Sequence, residues 1–147
     1  ELAVSFVAFS PLGRGFLAGE SKDVTGLTAD DLRCSIARPR FEPENFSRNV
    51  KLLEPFRAIA RQLDSSIGQL SLAWLLAQKN TLGEQTLIPI PGTRHSHHMQ
   101  ENAAAAALVL DDATIAELNE LINEEAIAGR RYSDALMESI DSERDRG

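Results

Sequence analysis

Thr93 and Arg94 set a hydroxyl and a guanidinium side by side, directly after the turn residues Pro91-Gly92. The start of a helix follows, and the N–H groups of a first helical turn have no partner within their own helix. Hydroxyl, guanidinium and free N–H groups together make an anion site, and phosphate is the anion they suit. The plain alternative is an ordinary strand-turn-helix corner with Arg94 as a surface charge. A second cluster lies upstream in Ser10-Pro11-Leu12-Gly13-Arg14-Gly15, where two glycines flank an arginine. Glycine lets a ligand come close to the backbone. No GxGxxG occurs here, so a Rossmann site is not supported.

His95, His97 and His98 form a third group. Helical metal ligands usually stand at i and i+3 or i+4, and neither a cysteine nor a clear set of carboxylates accompanies these. Solvated or phosphate-facing imidazoles are the expectation, not a metal site. Cys34 is the single cysteine, which excludes an intramolecular disulfide and a Cys-rich zinc site. A plain small side chain in a loop is expected there.

These groups need elements to hold them. Val4–Phe9 is a mostly apolar run of strand length, rich in β-branched and aromatic residues. Leu87, Ile88 and Ile90 read as a short buried strand that Pro89 brings near its end. Both anion clusters thus follow a strand's C-terminal end, where α/β proteins place ligands. Residues 20–46 are polar and interrupted by Gly26, Pro39 and Pro43, so a long loop is expected, with one helical turn near Ala29–Arg33. Val50, Leu53, Phe56, Ala60 and Leu63 recur at helical spacing, which predicts a helix over 48–63 that Pro55 either kinks or starts. Ser66 and Gln69 fit a capping box for a helix from Ile67 to about Lys79. That helix is apolar on most sides and belongs against a sheet, with Trp74 as core, not as a ligand stack. Ser96 is the expected cap of a helix through Ala107, and Asp111 that of the next, with its stripe of Ile115, Leu118 and Ile122. Gly129-Arg130-Arg131-Tyr132 is expected to end the ordered part, and 142–147 to be a frayed tail.

The motifs also carry a family resemblance. Ile90-Pro91-Gly92-Thr93-Arg94 followed by Gln100-Glu101-Asn102 resembles the C-terminal signature of the aldo-keto reductases. Phe9-Ser10-Pro11-Leu12-Gly13-Arg14-Gly15-Phe16-Leu17 resembles the seventh-strand motif of that family. Arg38-Pro39-Arg40-Phe41 and Leu72-Ala73-Trp74-Leu75-Leu76-Ala77-Gln78 match in the same order and at the family's spacing. The resemblance covers almost the whole chain but only the last part of the family's chain. It implies an α/β fold: strands seven and eight of a (β/α)8 TIM barrel, with their helices and two extra ones, an incomplete barrel forming a single partial domain over 1–147. It also implies NADP(H) as cofactor, and hydride transfer to a carbonyl as the family's activity. Phe9 would stack on the nicotinamide, where the family usually has an aromatic. Ser10, Leu12, Gly13 and Arg14 would line the pyrophosphate. Gly92, Thr93 and Arg94 would meet the adenosine 2′-phosphate, and Glu101 and Asn102 the adenine. The loop holding Arg38 and Arg40 would fold over the cofactor. His98 stands where many members have Arg, so a weaker clamp is expected, because neutral imidazole is a poorer partner for phosphate.

The resemblance assigns no catalytic residue. Family members use a Tyr acid with Lys, Asp and His from earlier strands, and neither Tyr132 nor Lys22, Lys51 or Lys79 lies in a matching context. General acid catalysis needs a positioned proton donor. A small carbonyl substrate would therefore be a partner only of the complete enzyme. The alternatives are a non-catalytic nucleotide-binding or regulatory subunit, and an inert truncated product that folds only by pairing with itself or with the missing N-terminal half.

Composition sets the outer bounds. The chain has 147 residues, 43% of them hydrophobic, enough for one domain with a core. A net charge of −7 argues against a general nucleic-acid partner. No apolar run approaches the ~18 residues of a membrane span and no signal peptide is evident, so a soluble, cytoplasmic protein is expected. The first residue is Glu1, not Met, which suggests a fragment or a processed product.

Overall fold

Strand β1 (Phe6–Phe9) pairs in parallel with β2 (Leu87–Ile90), in the register Phe6 to Leu87 through Phe9 to Ile90. A parallel pair needs a long crossover, and helices fill it, which makes the chain α/β. The computed structural model describes residues 4–19, 23–78, 86–123 and 125–138. Seven α-helices accompany the strands among these: α1 (Arg38–Phe41), α2 (Pro43–Val50), α3 (Leu53–Gln62), α4 (Ile67–Ala77), α5 (Ser96–Ala104), α6 (Asp112–Leu121) and α7 (Asp134–Met137).

The chain divides into two compact units, Glu1–Ser21 with Leu53–Leu121, and Lys22–Leu52 with Ile122–Gly147. The first holds both strands and α3 to α6. Its centre is α4, which touches α3, β2, α5 and α6. The reason lies in its sequence. The segment Ile67-Gly-Gln-Leu-Ser-Leu-Ala-Trp-Leu-Leu-Ala is apolar nearly all round, and Leu70, Leu72 and Ala73 are buried together with Leu53, Phe56, Ile59, Leu87 and Leu118. Each Leu or Phe so buried contributes about 1.5–3 kcal/mol relative to exposure. Ser71 is the one hydroxyl in this buried row, and it donates back to the Ile67 carbonyl at 2.7 Å. Ser66 and Gln69 form the expected capping box: Gln69 N donates to Ser66 Oγ at 3.1 Å, and Ser66 N to Gln69 Oε1 at 3.0 Å. Trp74 is only half-buried, and its indole N–H donates to Asn119 Oδ1 on α6 at 2.8 Å. It is thus a link between two helices, not the full core residue expected.

The second unit holds α1, α2 and α7. Phe41 and Phe46 stack with ring centroids 5.9 Å apart, and both are buried. Gly129 has φ +85, and a Cβ there would lie 2.4 Å from the Pro39 carbonyl oxygen, so only glycine fits.

Several expectations are corrected. The long loop over 20–46 contains a 3-10 turn at Leu32–Cys34 and the helices α1 and the start of α2. Pro39 and Pro43 lie in first turns, where a missing N–H costs nothing, so they start helices instead of breaking them. The helix expected over 48–63 is two helices parted at 51–52, with Pro55 in the first turn of α3. Ser96 is the first residue of α5, not its cap; His95 holds that place, and its N–H donates to Thr93 Oγ1 at 3.1 Å. The buried β2 is buried only at Leu87, since Ile88 and Ile90 are 43% and 51% exposed on a sheet of two strands. Order continues past Tyr132 into α7. Lys79 and the tail 142–147 lie outside the described residues.

Candidate functional site

The loop after β1 leaves the strand through an unusual backbone. Ser10 and Arg14 have φ of 49 and 58, and Gly13 and Gly15 have φ of 57 and 91. A non-glycine residue held in the left-handed region costs on the order of 1–3 kcal/mol, and such strain collects at functional sites. Short hydrogen bonds hold the coil: Gly13 N to the Ser10 carbonyl at 2.9 Å, and both Gly15 N and Leu17 N to the Leu12 carbonyl at 3.1 Å.

The loop after β2 is built differently. Pro91-Gly92 turns the chain, Thr93 closes the next turn by accepting the His95 N–H, and α5 begins at Ser96. Its first turn carries His97 and His98, and its next turn Glu101 and Asn102.

Because β1 and β2 are parallel and adjacent, both loops emerge from one end of the sheet. They open on a shared cleft of about 430 Å³ lined by Ser10, Pro11, Leu12, Arg14, Gly15, Ala18, Gly68, Ile90, Pro91, Gly92, Thr93, His98, Glu101 and Asn102. Of the residues expected at the site, Ser10, Leu12, Arg14, Gly92, Thr93, His98, Glu101 and Asn102 therefore come together. Arg94 is not on this cleft. It lines an adjoining pocket with Gly92, Thr93, His95 and His98, so Gly92, Thr93 and His98 border both. Gly13 and Phe9 do not line the cleft; Gly13 shapes the loop, and Phe9 stands 49% exposed at the end of β1. The cleft carries a cation at Arg14, an anion at Glu101 and hydroxyls at Ser10 and Thr93. That mixture can hold a molecule with both phosphate and hydrogen-bonding heterocycle.

Gly68 is a wall residue that the sequence reading missed. It sits in the first turn of α4, and a Cβ there would lie 4.0 Å from Glu101 Oε1. A glycine interrupting the start of a strongly apolar helix was the available signal, since it costs about 1 kcal/mol against alanine. Among the described residues, no group of three His, Cys, Asp or Glu is placed to hold a metal ion, and no helix is long and apolar enough to cross a membrane.

A parallel α/β piece with its cleft at the carboxyl ends of adjacent strands is the arrangement of a ligand-binding α/β protein. Comparison with known proteins makes this specific. The model of the Aldo/keto reductase family matches residues 1–123, and the chain belongs to that family. It is 38% identical over 132 residues to the aldo-keto reductase yakc, named for NADP(+), of Schizosaccharomyces pombe, covering 90% of this chain and 37% of that protein. It is 34% identical over 142 residues to the aldo-keto reductase str7 of Strobilurus tenacellus, covering 97% of this chain and 40% of that one. The chain thus spans 37–40% of the length of these relatives. A crystal structure of a thermostable aldo-keto reductase, in complex with the inhibitor epalrestat, matches with a TM-score of 0.50 at 23% identity, over 80% of this chain and 30% of that one. That likeness concerns the fold alone, and with an open sheet of two strands among the described residues this chain is an incomplete barrel.

Proposed function

We propose that this chain is the cofactor-binding C-terminal portion of an NADP(H)-dependent aldo-keto reductase, one partial domain over 1–147 that carries barrel strands seven and eight. The observation that supports it most is the shared cleft, where Arg14 from one loop meets Thr93, His98, Glu101 and Asn102 from the other. The residues suit the cofactor chemically, since cation, hydroxyl and glycine backbone serve phosphate, and carboxylate and amide serve a base with amino and ring nitrogens.

When bound, NADP(H) supplies the hydride that reduces an aldehyde or ketone. The chain's own residues bind and orient. Ser10, Leu12 and Arg14 would hold the pyrophosphate, on the loop that Gly13 shapes. Gly92, Thr93, Arg94 and His98 hold the 2′-phosphate, and Glu101 and Asn102 the adenine. Phe9, exposed at the end of β1, would stack on the nicotinamide. None of the described residues lining the cleft is a tyrosine or lysine, so the proton for the developing alkoxide would come from elsewhere in a complete barrel. The same observation supports a second reading, a nucleotide-binding subunit without chemistry.

Titrating the chain with NADPH and with NADH, followed by fluorescence, tests the reading. NADPH should bind and NADH much more weakly. Binding of neither, by a chain that circular dichroism shows to be folded, overturns it.

A further inference from the structure

Away from the cleft, in the second unit, Arg130, Arg131, Tyr132 and Ser133 follow one another just before α7. Arg130-Arg131 is the only pair of adjacent arginines in the sequence, and it sets guanidiniums three and two positions before a serine hydroxyl. Ser35 and Ser96 each stand two positions after a single arginine. Arg33, however, is held by Asp31 through two side-chain hydrogen bonds, and Ser96 is the first residue of α5.

None of the four residues before α7 is buried. The Arg130 side chain is 65% exposed, and it pairs at 3.1 Å with an Asp134 carboxylate that is 83% exposed. A pair so open to water is weak and yields to a better partner. Ser133 has extended backbone, with φ −60 and ψ 154, and takes the cap position of α7 without a side-chain cap hydrogen bond. Its hydroxyl is therefore not committed to the helix. What fixes Ser133 is backbone alone: its N–H donates to the Ile36 carbonyl at 3.2 Å, and its carbonyl accepts from Leu136 N at 3.0 Å and Met137 N at 2.9 Å. Helix α7 has four residues, too few to be stable by itself, so opening this end into extended chain is a small local event.

We propose that Ser133 is a phosphorylation site for a serine kinase that reads basic residues, with Arg130 and Arg131 as the groups it recognises. Such a kinase presents carboxylates to the arginines, and charge pattern is a common source of kinase specificity. The phosphoryl donor is ATP with Mg²⁺. The Ser133 oxygen attacks the γ-phosphorus, the bond from that phosphorus to the β,γ-bridging oxygen breaks, and ADP leaves. The hydroxyl proton passes to the kinase's catalytic carboxylate. The product carries a charge of about −1.5 to −2 at neutral pH, close in sequence to both arginines. Phosphate is a stronger guanidinium partner than an exposed carboxylate, so modification draws Arg130 from Asp134 to Ser133. The proposal is independent of the nucleotide-site reading.

The test incubates the full chain, shown by circular dichroism to be folded, with Mg-ATP and the catalytic subunit of a cyclic-AMP-dependent kinase as the probe. Peptide mass spectrometry locates the phosphate. One phosphate on Ser133 is expected, and none there in Ser133→Ala. Arg130→Ala and Arg131→Ala should each lower kcat/KM for transfer by roughly tenfold or more, the equivalent of one lost contact to a charged group. Loosening of the fold would raise the rate instead, because kinases take extended chain, so the sign separates recognition from damage. No phosphate on Ser133 of the folded chain, transfer only after denaturation in urea, or rates unchanged in both arginine variants overturns the proposal. So does equal modification of Ser133 by a kinase that reads acidic residues.

Discussion

Asn49 and Ala128 hold each other twice across 79 residues of chain. The Asn49 amide donates to the Ala128 carbonyl at 2.9 Å, and the Ala128 N–H donates to Asn49 Oδ1 at 2.7 Å. Asn49 is 3% exposed and Ala128 9%, so neither backbone group has water as a substitute. The pair ties α2 to the segment before α7 within one unit. A buried polar group left without a partner costs about 1–3 kcal/mol.

Asn49→Ala strands both groups of Ala128 and should destabilise the unit by about 2–4 kcal/mol. Asn49→Asp keeps the acceptor but sets a carboxylate against the Ala128 carbonyl, and should also destabilise. Urea denaturation measures the loss, and hydrogen exchange at the Ala128 amide locates it. An Asn49→Ala variant with unchanged midpoint and protection would show that the pair contributes nothing.

Asp31 gives a pH prediction. Its carboxylate accepts from Arg33 Nε at 2.9 Å, Arg33 Nη2 at 2.7 Å and Arg33 N at 2.8 Å. The side-chain hydrogen bonds from Arg33, and then the backbone one, lower its pKa from 3.8 to about 2. A depressed carboxylate contributes stability above its unfolded pKa and loses it as pH falls through the folded value. The 3-10 turn at Leu32–Cys34 should therefore loosen between about pH 4 and 2, and not at neutral pH. Asp31→Asn should be less stable than the parent at pH 7 and indistinguishable from it below pH 2. An equal difference at both pH values would assign the effect to packing.

How far the sequence could be read depended on the range of the interaction. Ser66 with Gln69, and Asp111 with Thr114 N at 2.8 Å, are caps closed within a single turn, and both were legible. So were the two strands and the loops behind them, because Gly, Pro and Arg follow apolar runs at each. Pro39 and Pro43 misled because the same residue breaks a helix interior and starts a helix, and only position tells the two apart. Ser96 misled because it sits one residue inside α5, whose cap position, His95, makes no side-chain cap hydrogen bond. The exposure of Ile88 and Ile90 was not legible at all, since burial of a strand depends on neighbours outside the pair. At the site, the residue types were readable, but the division of Arg14 and Arg94 between two pockets was set by the folding of the loops.

Activity gives a third prediction. With no tyrosine or lysine among the described residues lining the cleft, the purified chain should not oxidise NADPH with any aldehyde above background. Tyr132 is the sole tyrosine, and the Arg131 guanidinium carbon lies 5.4 Å from its ring centre. Robust turnover by a clean preparation, abolished by Tyr132→Phe, would identify an acid that the cleft does not show. Turnover regained on adding the remainder of a barrel would favour the reductase reading over the subunit without chemistry.

Arg94 gives the last prediction, because its position separates the two forms of the cofactor. It lies off the main cleft, in the adjoining pocket bordered by Gly92, Thr93, His95 and His98. NADPH differs from NADH by one phosphate, and a side chain in this second pocket should act on that difference alone. Losing one hydrogen bond to a charged group costs roughly 1.5–3 kcal/mol, which is about 10- to 150-fold in affinity. Arg94→Ala should therefore weaken NADPH by about that factor and leave NADH nearly unchanged. Arg14→Ala, on the main cleft, should weaken both cofactors alike, because the pyrophosphate is common to them. Damage to the fold would lower both affinities, so a loss confined to NADPH in Arg94→Ala excludes it. Titration of both cofactors, with Trp74 fluorescence as the reporter, resolves the cases. If Arg94→Ala leaves NADPH binding unchanged, Arg94 is a surface charge at a helix start.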